Sequence, residues 1–146
     1  MDDGSNSTFE MADEQAESRE SGSNRTILVV EDEVLVRLPA AEYLRALGYR
    51  VLEASNAAEA VSIMGAGESI DAVFSDCDMP GRMNGIDLAF WIRRSYPDIK
   101  VLLTSGAAEL INIGNTNHGD MYLLPEPYSR DSLRSRLANL IAEARL

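Results

Sequence analysis

Four places in this 146-residue sequence set oxygen-bearing side chains directly after a short apolar run. Residues 26–30 (TILVV) lead into Glu31-Asp32-Glu33, and residues 70–74 (IDAVF) into Ser75 and Asp76. Residues 99–103 (IKVLL) lead into Thr104-Ser105, and residues 121–124 (MYLL) into Pro125-Glu126. Asp76 alone, with Asp78-Met79-Pro80 after it, reads equally well as the cap of a loop. The set of four says more. In an open parallel sheet, ligands bind outside the carboxyl ends of the strands, and there Glu31, Asp32 and Asp76 would meet. Three neighbouring carboxylates repel unless a cation bridges them. Oxygen donors without His or Cys suit Mg²⁺, and less selectively Mn²⁺ or Ca²⁺. Such a metal would neutralise a phosphoryl donor while a carboxylate attacks phosphorus. The Thr104 hydroxyl and a backbone amide near Ser105 would hold the transferred oxygens. The implied chemistry is aspartyl-phosphate formation, with Asp76, on the central strand, as nucleophile.

That chemistry requires the runs to be strands of one sheet, and the intervening patterns agree. Strands are predicted over 26–30, 49–53, 70–76, 99–103 and 121–124. Val34, Leu38, Ala41, Leu44 and Leu47 recur at helical spacing, with Gly48 as a stop and Pro39 predicting a kink near 35–38. Asn56 is placed to cap a helix burying Ala57, Ala60, Val61 and Met64. A helix from Ile86 shows one face of Ile86, Ala89, Phe90 and Arg93, widened by Leu88, Trp91 and Ile92. Ser129 is placed to cap a last helix with Leu133, Leu137, Leu140, Ile141 and Ala144 as its apolar side. Residues 107–119 are poorly periodic and predict a short or irregular helix, with His118 as a loop residue. Alternating strands and helices predict an α/β fold: a five-stranded parallel sheet with helices on both faces.

Charge and composition narrow the function. The net charge is −11, with seven acids against one Arg in residues 1–24. That polar stretch predicts a disordered acidic tail, or a short docking helix over 9–18, ahead of one domain at 25–146. The domain is also acidic, which disfavours nucleic acid. One cysteine, Cys77, excludes an internal disulfide and a Cys-rich zinc site. Neither a secretory signal nor an apolar run of membrane-spanning length is present, so the expected location is cytoplasmic, away from membranes.

With the motifs ILVVEDE (27–33), AVFSDCDMPG (72–81), VLLTSG (101–106) and PEPY (125–128) in this order, the sequence resembles the receiver domain of two-component response regulators. The resemblance implies the flavodoxin-like strand order 2-1-3-4-5, with Asp76 as phosphoacceptor. It implies Mg²⁺ held by Glu31, Asp32, Asp76 and the main-chain carbonyl of Asp78, and Thr104 as the hydroxyl that turns toward the phosphoryl group. It also implies a histidine kinase or histidine phosphotransfer protein as donor, a downstream protein target, and a docking or homodimer face formed by the family's fourth helix, fifth strand and fifth helix. With residue 146 at the end of the last helix, a stand-alone receiver acting through protein contacts is expected, not an enzyme beyond self-phosphorylation and self-dephosphorylation.

Three positions depart from the family pattern. Its lysine at the end of strand five is Glu126 here, and the one lysine, Lys100, falls at the start of strand four. Its aromatic switch residue is Leu123, with Tyr122 adjacent. Pro39 interrupts the first helix. Arg37 or Arg82 is expected to supply part of the missing positive charge. The alternatives are a divergent receiver that binds partners without phosphorylation, and a haloacid-dehalogenase-like phosphohydrolase using Asp76-Cys77-Asp78. The second fits poorly, because that motif belongs on a chain's first strand and also needs a lysine.

Overall fold

The computed structural model describes residues 24–106 and 122–145. Five strands alternate with helices: β1 (Thr26–Val30), α1 (Val34–Ala46), β2 (Arg50–Ala54), α2 (Ala57–Gly65), β3 (Ala72–Asp76), α3 (Gly85–Ser95), β4 (Lys100–Ser105), β5 (Tyr122–Pro125) and α4 (Arg130–Arg145). All strand pairs are parallel, in the order β2-β1-β3-β4-β5. This is the flavodoxin-like arrangement expected from the sequence. The tail, residues 107–119 and His118 lie outside the described residues, save Asn24.

Alternation along each strand sorts the core into two layers. Leu28, Val30, Val73 and Leu103 pack with Ala60 and Met64 of α2 and with Leu88 and Ile92 of α3. Ile27, Val29, Phe74 and Leu102 pack with Ala41 and Leu44 of α1 and with Leu133 and Leu137 of α4. Each fully buried leucine stabilises the fold by roughly 1.5–3 kcal/mol. Helix entries follow local chemistry. Asn56 accepts the Glu59 amide at 2.7 Å, Ser129 accepts the Ser132 amide at 3.0 Å, and Asn84 with Asp87 forms a reciprocal capping box. Gly48, at φ 106°, ends α1 in a conformation that favours glycine.

Two predicted helix faces are corrected. Val34 and Leu38 share the helical spacing of the buried Ala41 and Leu44, but they are 46% and 40% exposed, and Leu35 is 84% exposed. These residues fall in the first turns of α1, ahead of the buried Ala41 and Leu44. Pro39 lies within this single helix. In α3 the buried positions are Gly85, Leu88, Ala89 and Ile92, while Arg93 is exposed. These are spaced i, i+3, i+4, i+7 from Gly85, which sets the helix rotation by its close approach to β3. Strand bounds also shift: β2 begins at Arg50 and β4 extends to Ser105, so Thr104 and Ser105 belong to the sheet itself.

Candidate functional site

Parallel pairing brings the ends of β1, β3, β4 and β5 to one edge. Asp76 closes β3 and is the register partner of Thr104. Glu31 follows β1 and is buried, its amide bonded to the Ala54 carbonyl at 3.0 Å. Asp32 is exposed beside it. Carboxylate oxygens of Glu31, Asp32 and Asp76 all lie within 4.8 Å of one another. Backbone amides aid this crowding: Glu33 N–H donates to Glu31 Oε2 at 3.1 Å, and Asp78 N–H to Asp76 Oδ1 at 3.2 Å.

The charges remain under-compensated. Burial first, then the Asp32 hydrogen bond and the Asp76 and Asp32 charges, raise the Glu31 carboxyl from 4.5 to about 8. Burial, followed by the charges of Glu126, Asp78 and Asp32, raises Asp76 from 3.8 to about 6. A divalent cation would reverse this destabilisation, and three hard oxygen donors in reach of one point fit Mg²⁺.

Glu126 is exposed and joins the site. Its amide donates to the Ser105 carbonyl at 3.0 Å, and its Oε2 accepts the Thr104 hydroxyl at 3.4 Å. The Ser105 side chain is buried and its hydroxyl donates to the Gly106 carbonyl at 3.1 Å. Asp78 is exposed and contributes the amide already described.

The two arginines expected to supply part of the missing charge differ in position. Arg37 borders the site, but its Nε is paired with Glu53 at 3.0 Å and its Nη1 donates to the Glu31 carbonyl at 2.9 Å. Arg82 is exposed and borders a separate groove beside Ser55 and Asn56. Lys100 is the register partner of Ala72, at the opposite end of β3 from Asp76, with its Nζ 5.9 Å from the Tyr122 ring centre. Leu123 packs on the α2–α3 layer and Tyr122 on the α1–α4 layer, so the two side chains point to opposite faces.

Two residues not singled out from the sequence help to build the site. Tyr128 packs edge-on against Phe74, with ring centres 5.7 Å apart, and its hydroxyl pKa is raised by burial and then by Glu126, Glu31 and Asp76. Gly85 lies so close to β3 that a Cβ there would sit 1.9 Å from the Asp76 carbonyl oxygen. The signal for Gly85 was its place directly after the Asn84 cap, where a glycine is not otherwise required.

Residues 27–138 match the family model of the response regulator receiver domain. The chain is 37% identical over 123 residues to the sensor kinase CckA of Brucella abortus, covering 83% of this chain and 13% of the kinase. It is 37% identical over 112 residues to the transcriptional regulatory protein PdtaR of Mycobacterium tuberculosis, covering 75% of this chain and 53% of that protein. The chain thus spans about half or less of these two relatives. A response regulator receiver domain protein from Clostridium thermocellum superposes with a TM-score of 0.76 at 28% identity, covering 83% of this chain and 97% of the other. Among the described residues, no helix is long and apolar enough to cross a membrane.

Proposed function

The chain belongs to the response regulator receiver family, and from that premise we propose that Asp76 accepts a phosphoryl group from the phosphohistidine of a histidine kinase or histidine phosphotransfer protein. Asp76 Oδ attacks phosphorus, the phosphorus–nitrogen bond breaks, and its electron pair returns to the donor imidazole. Glu31, Asp32, Asp76 and the Asp78 carbonyl would hold Mg²⁺, which supplies charge neutralisation for the carboxylates and the phosphoryl oxygens. Thr104 has a single hydroxyl proton. To hold a phosphoryl oxygen it must release Glu126, and that release would couple phosphorylation to the end of β5 and to a downstream protein target.

The observation that carries this reading is the convergence of the Glu31, Asp32 and Asp76 carboxylate oxygens within 4.8 Å beside Thr104. The test is an amide NMR titration with Mg²⁺ and then beryllofluoride, with Asp76→Ala as control. Shifts at Asp76 and Thr104 that spread to Leu123 and α4, and vanish in Asp76→Ala, are expected. A Mg²⁺ response with none to beryllofluoride would sink it.

That second outcome would favour a different role, a binding module indifferent to phosphate. One feature supports it: Glu126 adds negative charge beside Asp76, and Arg37 is committed to Glu53. Partner binding unchanged in Asp76→Ala would identify it.

A further inference from the structure

Glu126 reverses more than a charge. A lysine ammonium has only donors, whereas an ionised carboxylate only accepts. The group at this position can therefore take a proton. Glu126 makes no ion pair among the described residues, and its Oε2 is already in hydrogen-bonding reach of Thr104, the register partner of Asp76. Beside them lies a cavity of about 20 Å³ bordered by Glu31, Arg37, Asp76, Thr104, Glu126 and Tyr128. A single water needs about 10–15 Å³ measured this way, and two to four polar partners. The volume is enough for one water, and Asp76, Thr104 and Glu126 lie on the border together with the apolar side chains of Val29, Val36 and Phe74. Asp78, another carboxylate nearby, does not border it.

We propose that Glu126 is the general base for hydrolysis of the Asp76 acyl phosphate. The proposal rests on the phosphoacceptor reading above. A water between Glu126 and the phosphoryl group attacks phosphorus, and its proton passes to the Glu126 carboxylate. The bond from phosphorus to the Asp76 oxygen breaks, with its electron pair returning to the Asp76 carboxylate. Inorganic phosphate leaves, and Glu126, being exposed, gives its proton to solvent. The net reaction consumes one water and needs no other reactant.

Charge repulsion alone makes a different prediction: removing the Glu126 charge would speed loading of Asp76 from an anionic donor and leave decay unchanged. A general base acts on decay, by about 10²–10⁴-fold. The experiment loads the full chain with acetyl phosphate and Mg²⁺, removes the donor, and follows phosphoaspartate by rapid quench. Glu126→Gln keeps the size and the oxygen that accepts from Thr104 but cannot serve as base. Its phosphoaspartate is expected to outlive the wild type by about 10²-fold or more, the lower end of a general-base contribution. Added formate is expected to restore fast decay in Glu126→Ala. Decay in Glu126→Gln at the wild-type rate, or no response to formate, overturns the proposal. If no variant, Glu126→Lys included, carries phosphate on Asp76, the phosphoacceptor reading fails and this proposal falls with it.

Discussion

The hydroxyl of Thr104 donates to Glu126 across 3.4 Å, which ties β4 to the segment after β5 at the point where Asp76 would carry its phosphoryl group. In the resting molecule the hydroxyl proton is thus committed to a carboxylate. A lysine at position 126 would free that proton and add an opposing charge. Exposed charge interactions are worth about 0–1 kcal/mol each. Exchanging a repulsion for an attraction therefore favours beryllofluoride binding by up to about 2 kcal/mol, on the order of tenfold in affinity. Glu126→Lys is expected to show that gain in a Mg²⁺-dependent fluorescence or NMR titration. Unchanged affinity would mean that position 126 does not control the phosphoryl site.

Gly85→Ala tests how closely α3 supports Asp76. The added methyl would lie 1.9 Å from the Asp76 carbonyl oxygen and 2.8 Å from Cys77 Cα, both of them backbone atoms, so the strand end or the helix must move. Overpacking of this kind costs about 1–3 kcal/mol, occasionally more. A lower urea midpoint and weaker Mg²⁺ binding are expected together. Loss of stability with undiminished Mg²⁺ affinity would show that α3 yields and Asp76 does not.

The sheet and its acidic edge were legible in the sequence because strand runs are short, apolar and punctuated, and because parallel topology sends every strand end to one side. Glu31, Asp32, Asp76, Thr104 and Glu126 could be gathered from that rule alone. Helix rotation was less legible. Gly85 carries no side chain, so counting apolar residues started α3 at Ile86 and turned its face toward Arg93, whereas a backbone contact with Asp76 decides the rotation. In α1 Val34 and Leu38 share the helical spacing of Ala41 and Leu44 but remain exposed. Arg37 could not be judged from sequence because its competitor, Glu53, lies on a different strand. That ion pair shares the Arg37 charge with Glu53 while the side chain still borders the site.

Protonation at this edge sets a pH dependence whose sign is fixed. Glu31 is raised from 4.5 to about 8 and Asp76 from 3.8 to about 6, so the folded chain holds more protons than the unfolded chain across that range. Metal-free stability is therefore highest below the unfolded values and falls as pH rises through about 6 and then about 8. Mg²⁺ needs the deprotonated carboxylates, so its stabilising effect grows over the same window. Melting curves at pH 5 and pH 8, each with EDTA and with Mg²⁺, are expected to show the larger Mg²⁺ shift at the higher pH. Glu31→Gln should flatten the metal-free slope. Equal Mg²⁺ shifts at both values would contradict the crowded-carboxylate account.

The two ends of α1 should respond unequally to mutation. Leu44 is fully buried against β1 and β2, and Leu44→Ala is expected to cost about 2–5 kcal/mol through lost contacts and the cavity left behind. Leu35 is 84% exposed, and Leu35→Glu should change stability by less than about 0.5 kcal/mol. Urea denaturation of both variants decides the matter. A large loss in Leu35→Glu with a small one in Leu44→Ala would mean that α1 packs by the stripe running through its first turn. The exposed apolar surface beside Glu31 and Asp32 would then belong to the core.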